Sequence, residues 1–574
     1  MKISDYIAAE LHRRGVPCVF EVSGGMITHL LDSINRDGNT RIVSVHHEQA
    51  AAFAAEAVGR MTGNPGVAMA TSGPGATNLL TGIASSYFDS SPSVYLTGQV
   101  NRNEQRGERK IRQLGFQETD IVAMATPITK AAWRVETAED LPVLLDRAFA
   151  LATEGRPGPV LLDIPMDVQR LDLTEASMRS VVPAHALRQY PDAAGVRDAL
   201  DIVLGAERPL VLLGGGIRSA LAAKQLRKFV QALRIPAVHS LMAVDVLPCD
   251  EELRVGMIGT YGNRWANTAM GNSDCLLVLG SRLDVRQTGA DTAAFAAGRS
   301  IIHVDCEPGE INNRVAGCRA VVATLPEFLE AAIGELSRRS VPERTGWRAE
   351  IAEWKAEWPD IAELAGGRGI NPNVFMHQLS AASQATGSYV IDVGQHQMWA
   401  AQSIDVGSDQ RFLTSGGMGS MGFALPAAIG AAVSTGRPAV MVAGDGSFQC
   451  NLQELQTVVR NRLPIKMIII NNQCHGMVRQ FQESYFEGRY QSTLWGYSAP
   501  DFESVARGYG IAARTTGQPG DVEEALRWLW EDPEQPALLQ VMVDTYANAY
   551  PKIAFGRPIT DMEPLAQPIE MEST

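Results

Sequence analysis

Long apolar runs are missing from this 574-residue sequence: none reaches the roughly 18 residues that a membrane-spanning helix needs. Met1–Glu10 has neither the basic start nor the apolar stretch of a secretory signal. Cysteine is sparse. Its seven copies, Cys18, Cys249, Cys275, Cys306, Cys318, Cys450 and Cys474, stand singly with no CxxC pair, which argues against a zinc site or a disulfide framework and suits reduced thiols. Positive charge is in deficit, with 50 Lys and Arg against 64 Asp and Glu and a formal net charge of -14. That balance repels phosphate backbones, so no nucleic-acid partner is expected. These absences leave a cytoplasmic globular protein that needs no membrane.

What is present is too long for one core and implies about three domains. Three segments each alternate short β-rich runs with helical patterns, which predicts an α/β fold of three doubly wound parallel-sheet domains. The first segment runs to about Asp167, with strands at Gly66–Ala70 and Ser93–Thr97, and closes on Pro159–Pro165. Gln169–Asp192 reads as a linker. The second carries Pro209–Leu213 running into Gly214-Gly215-Gly216, then Cys275–Leu279 and Ser300–Val304. Glu335–Trp358, rich in Arg, Glu and Trp, reads as a solvated helical connector. The third carries Ser388–Val393, Ala439–Ala443, Lys466–Ile470 and Ala537–Val543, and Asp544–Thr574 reads as an irregular Pro-rich tail.

One unit in the third segment carries most of the chemistry. The strand Ala439–Ala443 ends in Gly444-Asp445-Gly446-Ser447, a helical pattern follows, and the next strand ends in Asn471-Asn472. A βαβ crossover brings such strand ends side by side, at the edge where open α/β sheets bind ligands. Asp445 offers an anionic oxygen and Asn472 a neutral amide oxygen, the hard-oxygen set of a magnesium ion that also keeps phosphate oxygens. Gly444 and Gly446 permit close backbone approach, and Ser447 can hydrogen-bond phosphate. A tight turn with an Asp cap and an unrelated Asn pair is the other reading of these residues.

The unit resembles the diphosphate-binding motif of thiamine-diphosphate enzymes. The resemblance implies that Asp445, Asn472 and the carbonyl of Cys474 hold the metal, with the Cys474 thiol incidental. Val45–Gly59 looks like that family's glutamate motif, placing on Glu48 the hydrogen bond to the aminopyrimidine that activates thiazolium C2. His47-Glu48 can also be read as a plain helix cap, and Ser72–Asn78 as a Gly-Pro turn opening a helix. By the same resemblance Gly394, Gln395, His396, Gly419, Met421, Gly476 and Met477 join the thiamine-diphosphate set. Met421 would be the wedge that bends the cofactor, and core filler is its other reading. The family's use of Glu48 and Asp445 from different subunits implies a homodimer or homotetramer with shared active sites.

Taken together, TSGPGATNL, FQET, GRPGPVLLDIP, GGG, GQHQMWAAQ and GDGSF follow in the order of acetolactate synthase catalytic subunits, over roughly residues 3–552. That resemblance implies a pyrimidine-binding domain over 1–170, a central FAD-binding domain over 190–335, a diphosphate-binding domain over 370–545 and a tail over 546–574. It implies three cofactors, thiamine diphosphate, Mg2+ and FAD. Gln117 and Phe116 would line the reaction cavity, although FQET can also be an ordinary helix start. Arg156, Gly214, Gly215, Gly216, Ser240, Leu241, Gly280, Arg282, Asp284, Arg286 and Asp305 would meet the flavin, whose role there is largely structural. Val322-Ala323-Thr324 lacks the Asp often found in the last flavin strand.

Three departures concern the acceptor. Met166 stands where the family has Lys, Phe481 stands where it has a pocket-narrowing Trp, and the loop Val100–Gly115 is long and carries Arg102, Arg106, Arg109, Lys110 and Arg112. Arg286, which matches the residue gripping a second 2-ketoacid, is retained. A wider pocket with a cationic rim predicts pyruvate decarboxylation with transfer of the two-carbon unit to a nucleotide-linked keto-sugar. The alternatives are an ordinary acetolactate synthase using pyruvate or 2-ketobutyrate as acceptor, a pyruvate oxidase using FAD, and a catalytically silent cofactor-binding protein. The basic loop can also be a solvated surface.

Overall fold

The computed structural model describes residues 1–174 and 188–569; residues 175–187, inside the expected linker, and 570–574, at the end of the expected tail, lie outside them. Three six-stranded parallel sheets organise the chain. The first contains β1 (Cys18–Glu21), β2 (Arg41–Ser44), β3 (Gly66–Ala70), β4 (Ser93–Gln99), β5 (Ala131–Arg134) and β6 (Pro159–Pro165). The second contains β7 (Pro209–Leu213), β8 (Ala237–His239), β9 (Arg254–Met257), β10 (Cys275–Leu279), β11 (Ser300–Asp305) and β12 (Arg319–Val322). The third contains β13 (Ser388–Ile391), β14 (Arg411–Thr414), β15 (Ala439–Gly444), β16 (Ile465–Asn471), β17 (Ala512–Thr516) and β18 (Ala537–Met542). Helices cover both faces, so the inner strands are near-continuous apolar runs, as in β10 (CLLVL) and β16 (IKMIIIN).

The first and third sheets share one topology, β2-β1-β3-β4-β6-β5 and β14-β13-β15-β16-β18-β17. The middle sheet runs β12-β11-β10-β7-β8-β9, the order of a dinucleotide-binding fold. In each, strand order reverses at one point: β1/β3, β7/β10 and β13/β15. A crevice opens there beyond the carboxyl ends of the strands.

The outer sheets meet through two helices of small residues, Glu48–Thr62 and Ala424–Thr435. A Cβ added to Gly430 would lie 2.2 Å from the Ala54 carbonyl oxygen, so only glycine permits this approach. Phe53 and Phe423 close the seam edge-to-face with ring centroids 5.5 Å apart.

Two expectations need correction. The solvated connector expected over Glu335–Trp358 contains the packed helix Thr345–Glu357, in which Trp347 and Ile351 are buried and the Trp347 indole donates to the Pro209 carbonyl at 3.1 Å. The tail is not irregular throughout. Lys552–Ile553 and Met562–Glu563 form a short antiparallel pair, locked by a buried Lys552–Glu563 ion pair of 2.9 Å. Ile553 donates its N–H to Thr260 of the middle unit.

Candidate active site

At the reversal point of the third sheet, three strand ends converge. β15 delivers Gly444 and Asp445, β16 delivers Asn472–Cys474, and β13 leads into the helix Gln395–Ser403. Asp445 is 2% exposed, and one carboxylate oxygen accepts from the Tyr497 hydroxyl at 3.0 Å. Burial, which disfavours the charged form, pushes its carboxyl up to about 6. Gln473 adopts a left-handed backbone, φ 57°, which curls the strand end, and the Cys474 N–H donates to Asn472 Oδ1 at 3.2 Å. The Cys474 thiol donates to the Thr545 carbonyl, and burial pushes it up to about 11, so it stays protonated at neutral pH. Among the described residues no cluster of three His, Cys, Asp or Glu forms a metal site. An ion here would have to use one carboxylate with amide and backbone oxygens, a set that suits Mg2+.

The same edge is cradle-shaped. Ser447 Oγ accepts from the Gly444 N–H at 3.1 Å. His396 is buried against Gly444, where an added Cβ would come 2.9 Å from the imidazole. Burial drives this ring's pKa down to about 3, so it is neutral, and its Nε2 has no partner among the described residues. At Gly446 a Cβ would strike the His475 ring at 2.7 Å, and at Gly476 it would strike Gln395 Oε1 at 1.9 Å. Met477 follows Gly476 into the helix Gly476–Tyr485. The residues present therefore fit a metal-bridged diphosphate.

The first sheet gathers a second group. Glu48 opens its helix behind the cap His47, whose Nδ1 accepts from the Gln49 N–H at 3.1 Å. Glu48 itself is therefore free of capping; it is 8% exposed and accepts from Asn78 Nδ2 at 2.9 Å. A Cβ on Gly75 would sit 3.1 Å from its Oε1. Gln117 has φ 67°, uncommon for a non-glycine, and packs against the Gly73 turn. Phe116 beside it is 81% exposed. Glu48, Gln117 and Ser72–Asn78 thus form one cluster, separate from the Asp445 cluster. One residue beyond Glu48, Gln49 Oε1 accepts from Asn451 Nδ2 at 3.2 Å, which ties the two units together.

Between the units, the loop Ser415–Met421 is held by two carboxylates. Asp89 accepts from the Gly416 and Gly417 N–H groups at 3.1 and 2.6 Å, and Asp392 accepts from those of Gly422 and Ala424 at 2.9 and 2.8 Å. Gly419 has φ 67°, and Met421 stays 37% exposed in the single chain. Met166 begins the short helix after β6, and Phe481 is 40% exposed beside Tyr485 and Phe486. Neither Asp89 nor Asp392 stands out by motif. Asp392 has the weaker signal of a polar residue ending an apolar strand, and Asp89 has none.

The middle unit opens a cleft beside the β7/β10 reversal, where open α/β sheets bind ligands. All the residues expected to meet a flavin line it except Gly214. Gly214 instead packs so tightly on Gly280 that a Cβ would fall 2.0 Å from that carbonyl oxygen. Arg156 is braced by Ser90, Glu307 and Glu310, and Arg282 by Asp284. Burial raises Asp305 to about 6. Arg60, Asp89, Arg411 and Gly416 complete the wall from the first and third units.

Comparison with known proteins settles the family. Residues 1–124, 196–332 and 392–541 match the N-terminal TPP binding domain, the central domain and the C-terminal TPP binding domain of the thiamine pyrophosphate enzymes. The acetolactate synthase large subunit of Parasynechococcus marenigrum is 37% identical over 95% of this chain and 88% of its own length. The acetolactate synthase isozyme 2 large subunit of Escherichia coli is 36% identical over 98% of this chain and 99% of its own length, and the acetolactate synthase large subunit of Corynebacterium glutamicum is 36% identical over 97% and 89%. The chain is a member of the thiamine pyrophosphate enzymes. It is an acetolactate synthase-like carboligase, and its cofactor set is that of the group: thiamine diphosphate with Mg2+, and FAD. No helix among the described residues is long and apolar enough to cross a membrane.

Proposed function

We propose that the enzyme is an acetolactate synthase, joining the two-carbon fragment of one pyruvate to a second pyruvate or to 2-ketobutyrate. The observation that carries this reading is the meeting of Asp445 with the Asn472–Cys474 turn on neighbouring strand ends. Similarity along nearly the whole chain to enzymes of that name supports the choice of product over a keto-sugar adduct. Asp445, Asn472 and the Cys474 carbonyl hold Mg2+, with Ser447, His396 and the Gly444–Gly446 backbone around the diphosphate. Glu48 would hydrogen-bond the aminopyrimidine of the cofactor, Met421 would pack against its rings, and the Gly419 carbonyl would accept from its amino group. Thiamine diphosphate, when bound, supplies the carbon nucleophile that takes up pyruvate and makes loss of carbon dioxide possible. Gln117 and Phe116 shape the cavity, and Arg286 binds the acceptor carboxylate. FAD fills the middle cleft as a structural member. We further place the three domains at 1–170, 190–335 and 370–545, in a cytoplasmic homodimer or homotetramer whose sites are built between subunits.

A keto-sugar acceptor is the second reading, favoured by Met166, by the half-exposed Phe481 and by the exposed basic loop. Against it, Arg102 is already engaged by Asp167 at 2.8 Å, and Glu118 accepts backbone N–H groups of the same loop. The test gives the purified enzyme, loaded with thiamine diphosphate, Mg2+ and FAD, pyruvate alone and then pyruvate competing with 2-ketobutyrate and nucleotide-linked keto-sugars. Carbon dioxide release with acetolactate as the main product mass is expected. A dominant sugar adduct would replace the first reading by the second, and absence of carbon dioxide release would sink both.

A further inference from the structure

A buried chain of three amide side chains runs from Asn472 to the backbone of Ala549. Asn472 Nδ2 donates to Gln395 Oε1 at 3.2 Å, and Gln395 Nε2 donates to Gln480 Oε1 at 3.1 Å. Gln480 then meets Ala549 twice: its Oε1 accepts from the Ala549 N–H at 2.9 Å, and its Nε2 donates to the Ala549 carbonyl at 3.1 Å. Gln480 is 1% exposed, Gln395 3%, Asn472 6% and Ala549 0%, so water cannot substitute for a broken link.

An amide can be turned over to exchange its oxygen and nitrogen at little steric cost, so each orientation must be set by its partners. A backbone cannot be turned over. The Ala549 N–H can only donate and its carbonyl can only accept, which fixes Gln480 with Oε1 toward Gln395. Gln395 must then present Nε2 to Gln480 and Oε1 to Asn472. Asn472 must place Nδ2 inward; its Oδ1 accepts one backbone N–H, that of Cys474 at 3.2 Å, which favours the same orientation, and keeps its second lone pair for the strand-end cavity. Reversal of any member would set two donors or two acceptors face to face in a dry site. Gly476 belongs to the same device, since a Cβ there would lie 1.9 Å from Gln395 Oε1 and 2.8 Å from Asn472 Nδ2.

We propose that Gln480 is a positioning residue for the metal: through Gln395 it imposes the orientation in which Asn472 offers oxygen rather than an amide N–H to Mg2+. The proposal rests on the reading of Asn472 as a cation ligand and reaches beyond it, because Gln480 is joined to Asn472 only through Gln395. The segment that sets the polarity lies 69 residues downstream of Gln480, where the chain leaves the third sheet for the middle unit. Partners of this kind behind a metal ligand change affinity by about 10–100-fold when removed.

The test measures Mg2+ binding by isothermal titration at saturating thiamine diphosphate, with turnover followed separately as a function of Mg2+. Gln480→Met keeps the volume and cuts the relay. It should weaken Mg2+ by about 10-fold or more, while turnover at saturating Mg2+ stays within about twofold of wild type, a margin worth less than 0.5 kcal/mol. Asn548→Ala is the control. Asn548 anchors the same segment through Arg479, Glu483 and Tyr550 but takes no part in the relay, so its Mg2+ affinity should be unchanged. Equal losses in both variants would mean that the segment merely steadies the fold, and unchanged affinity in Gln480→Met would mean that the relay does nothing; either overturns the proposal. Asn472→Ala separates the two layers of the argument, since intact Mg2+ binding in that variant refutes the ligand assignment itself. Should Gln480→Met not fold, Gln480→Leu cuts the relay at the same link and carries the test with the same expected loss of Mg2+ affinity.

Discussion

Single residues in this fold carry charge into places that only a partner makes tolerable. Glu56 is fully buried in the seam between the outer units, 3.5 Å from Arg60 and hydrogen-bonded by Ser91. Burial first, and the nearby Asp89 second, push its carboxyl from the ordinary 4.5 up to about 7. A folded-state value above the unfolded one means that the fold favours the neutral acid. This stabilising contribution is complete below pH 4.5 and is lost as pH rises through about 7. Glu56→Gln keeps the shape without the titration, so thermal melts from pH 5 to 8 should show the variant gaining on wild type as pH rises. The gain should be a few degrees, on the scale of about 2–4 °C per kcal/mol for domains of this size. Melting curves whose separation does not change with pH would refute this. Legibility at the same scale divides by distance along the chain. Asp445 and Asn472 can be read because each ends an apolar strand, and the crossover that joins them is local. Asp89 and Gln480 cannot, because their partners lie 327 and 69 residues away and nothing nearby marks them.

At the scale of elements, ten strands can be read to within about two residues of their bounds, because burial on both faces of a parallel sheet demands uninterrupted apolar runs, whereas short strands such as β1, β2, β5, β8, β9, β12, β14 and β17 give no such run. The connector over Glu335–Trp358 misled because its composition is charged. Its periodicity is not that of a solvated helix: Trp347, Ile351 and Trp354 recur at helical spacing and face the middle sheet. The short β-pair in the tail escapes notice for another reason, since its strands have two residues each and depend on a buried ion pair that no local pattern announces. The helix pair that joins the outer sheets yields a sharper prediction. Gly430 sits where the Ala54 carbonyl leaves no room for a methyl group, so Gly430→Ala must push the helices apart despite its better helix propensity. Overpacking of this kind costs about 1–3 kcal/mol. Chemical denaturation of Gly430→Ala should show that loss, whereas a gain in stability would mean that the seam can relax.

At the scale of the molecule, the proposed function asks one cofactor to reach two clusters of the fold. Glu48, Asn78 and Gln117 lie at the first sheet, and Asp445, Asn472 and His396 lie at the third. The two sheets share a strand order, so two copies can be arranged with the first sheet of one facing the third sheet of the other, twice over, in a closed symmetric pair. Phe116, Met421 and Phe481, all exposed in the single chain, are the apolar groups that such a pairing would cover. Complementation tests this directly. Glu48→Gln and Asp445→Ala should each be nearly inactive alone. Co-refolded as an equal mixture, they should recover about a quarter of wild-type activity, because half the dimers are mixed and each mixed dimer carries one site with both native residues and one with neither. If both residues of a site came from the same chain, every site in the mixture would keep one lesion, and activity would stay at the level of the single variants however long the subunits were exchanged.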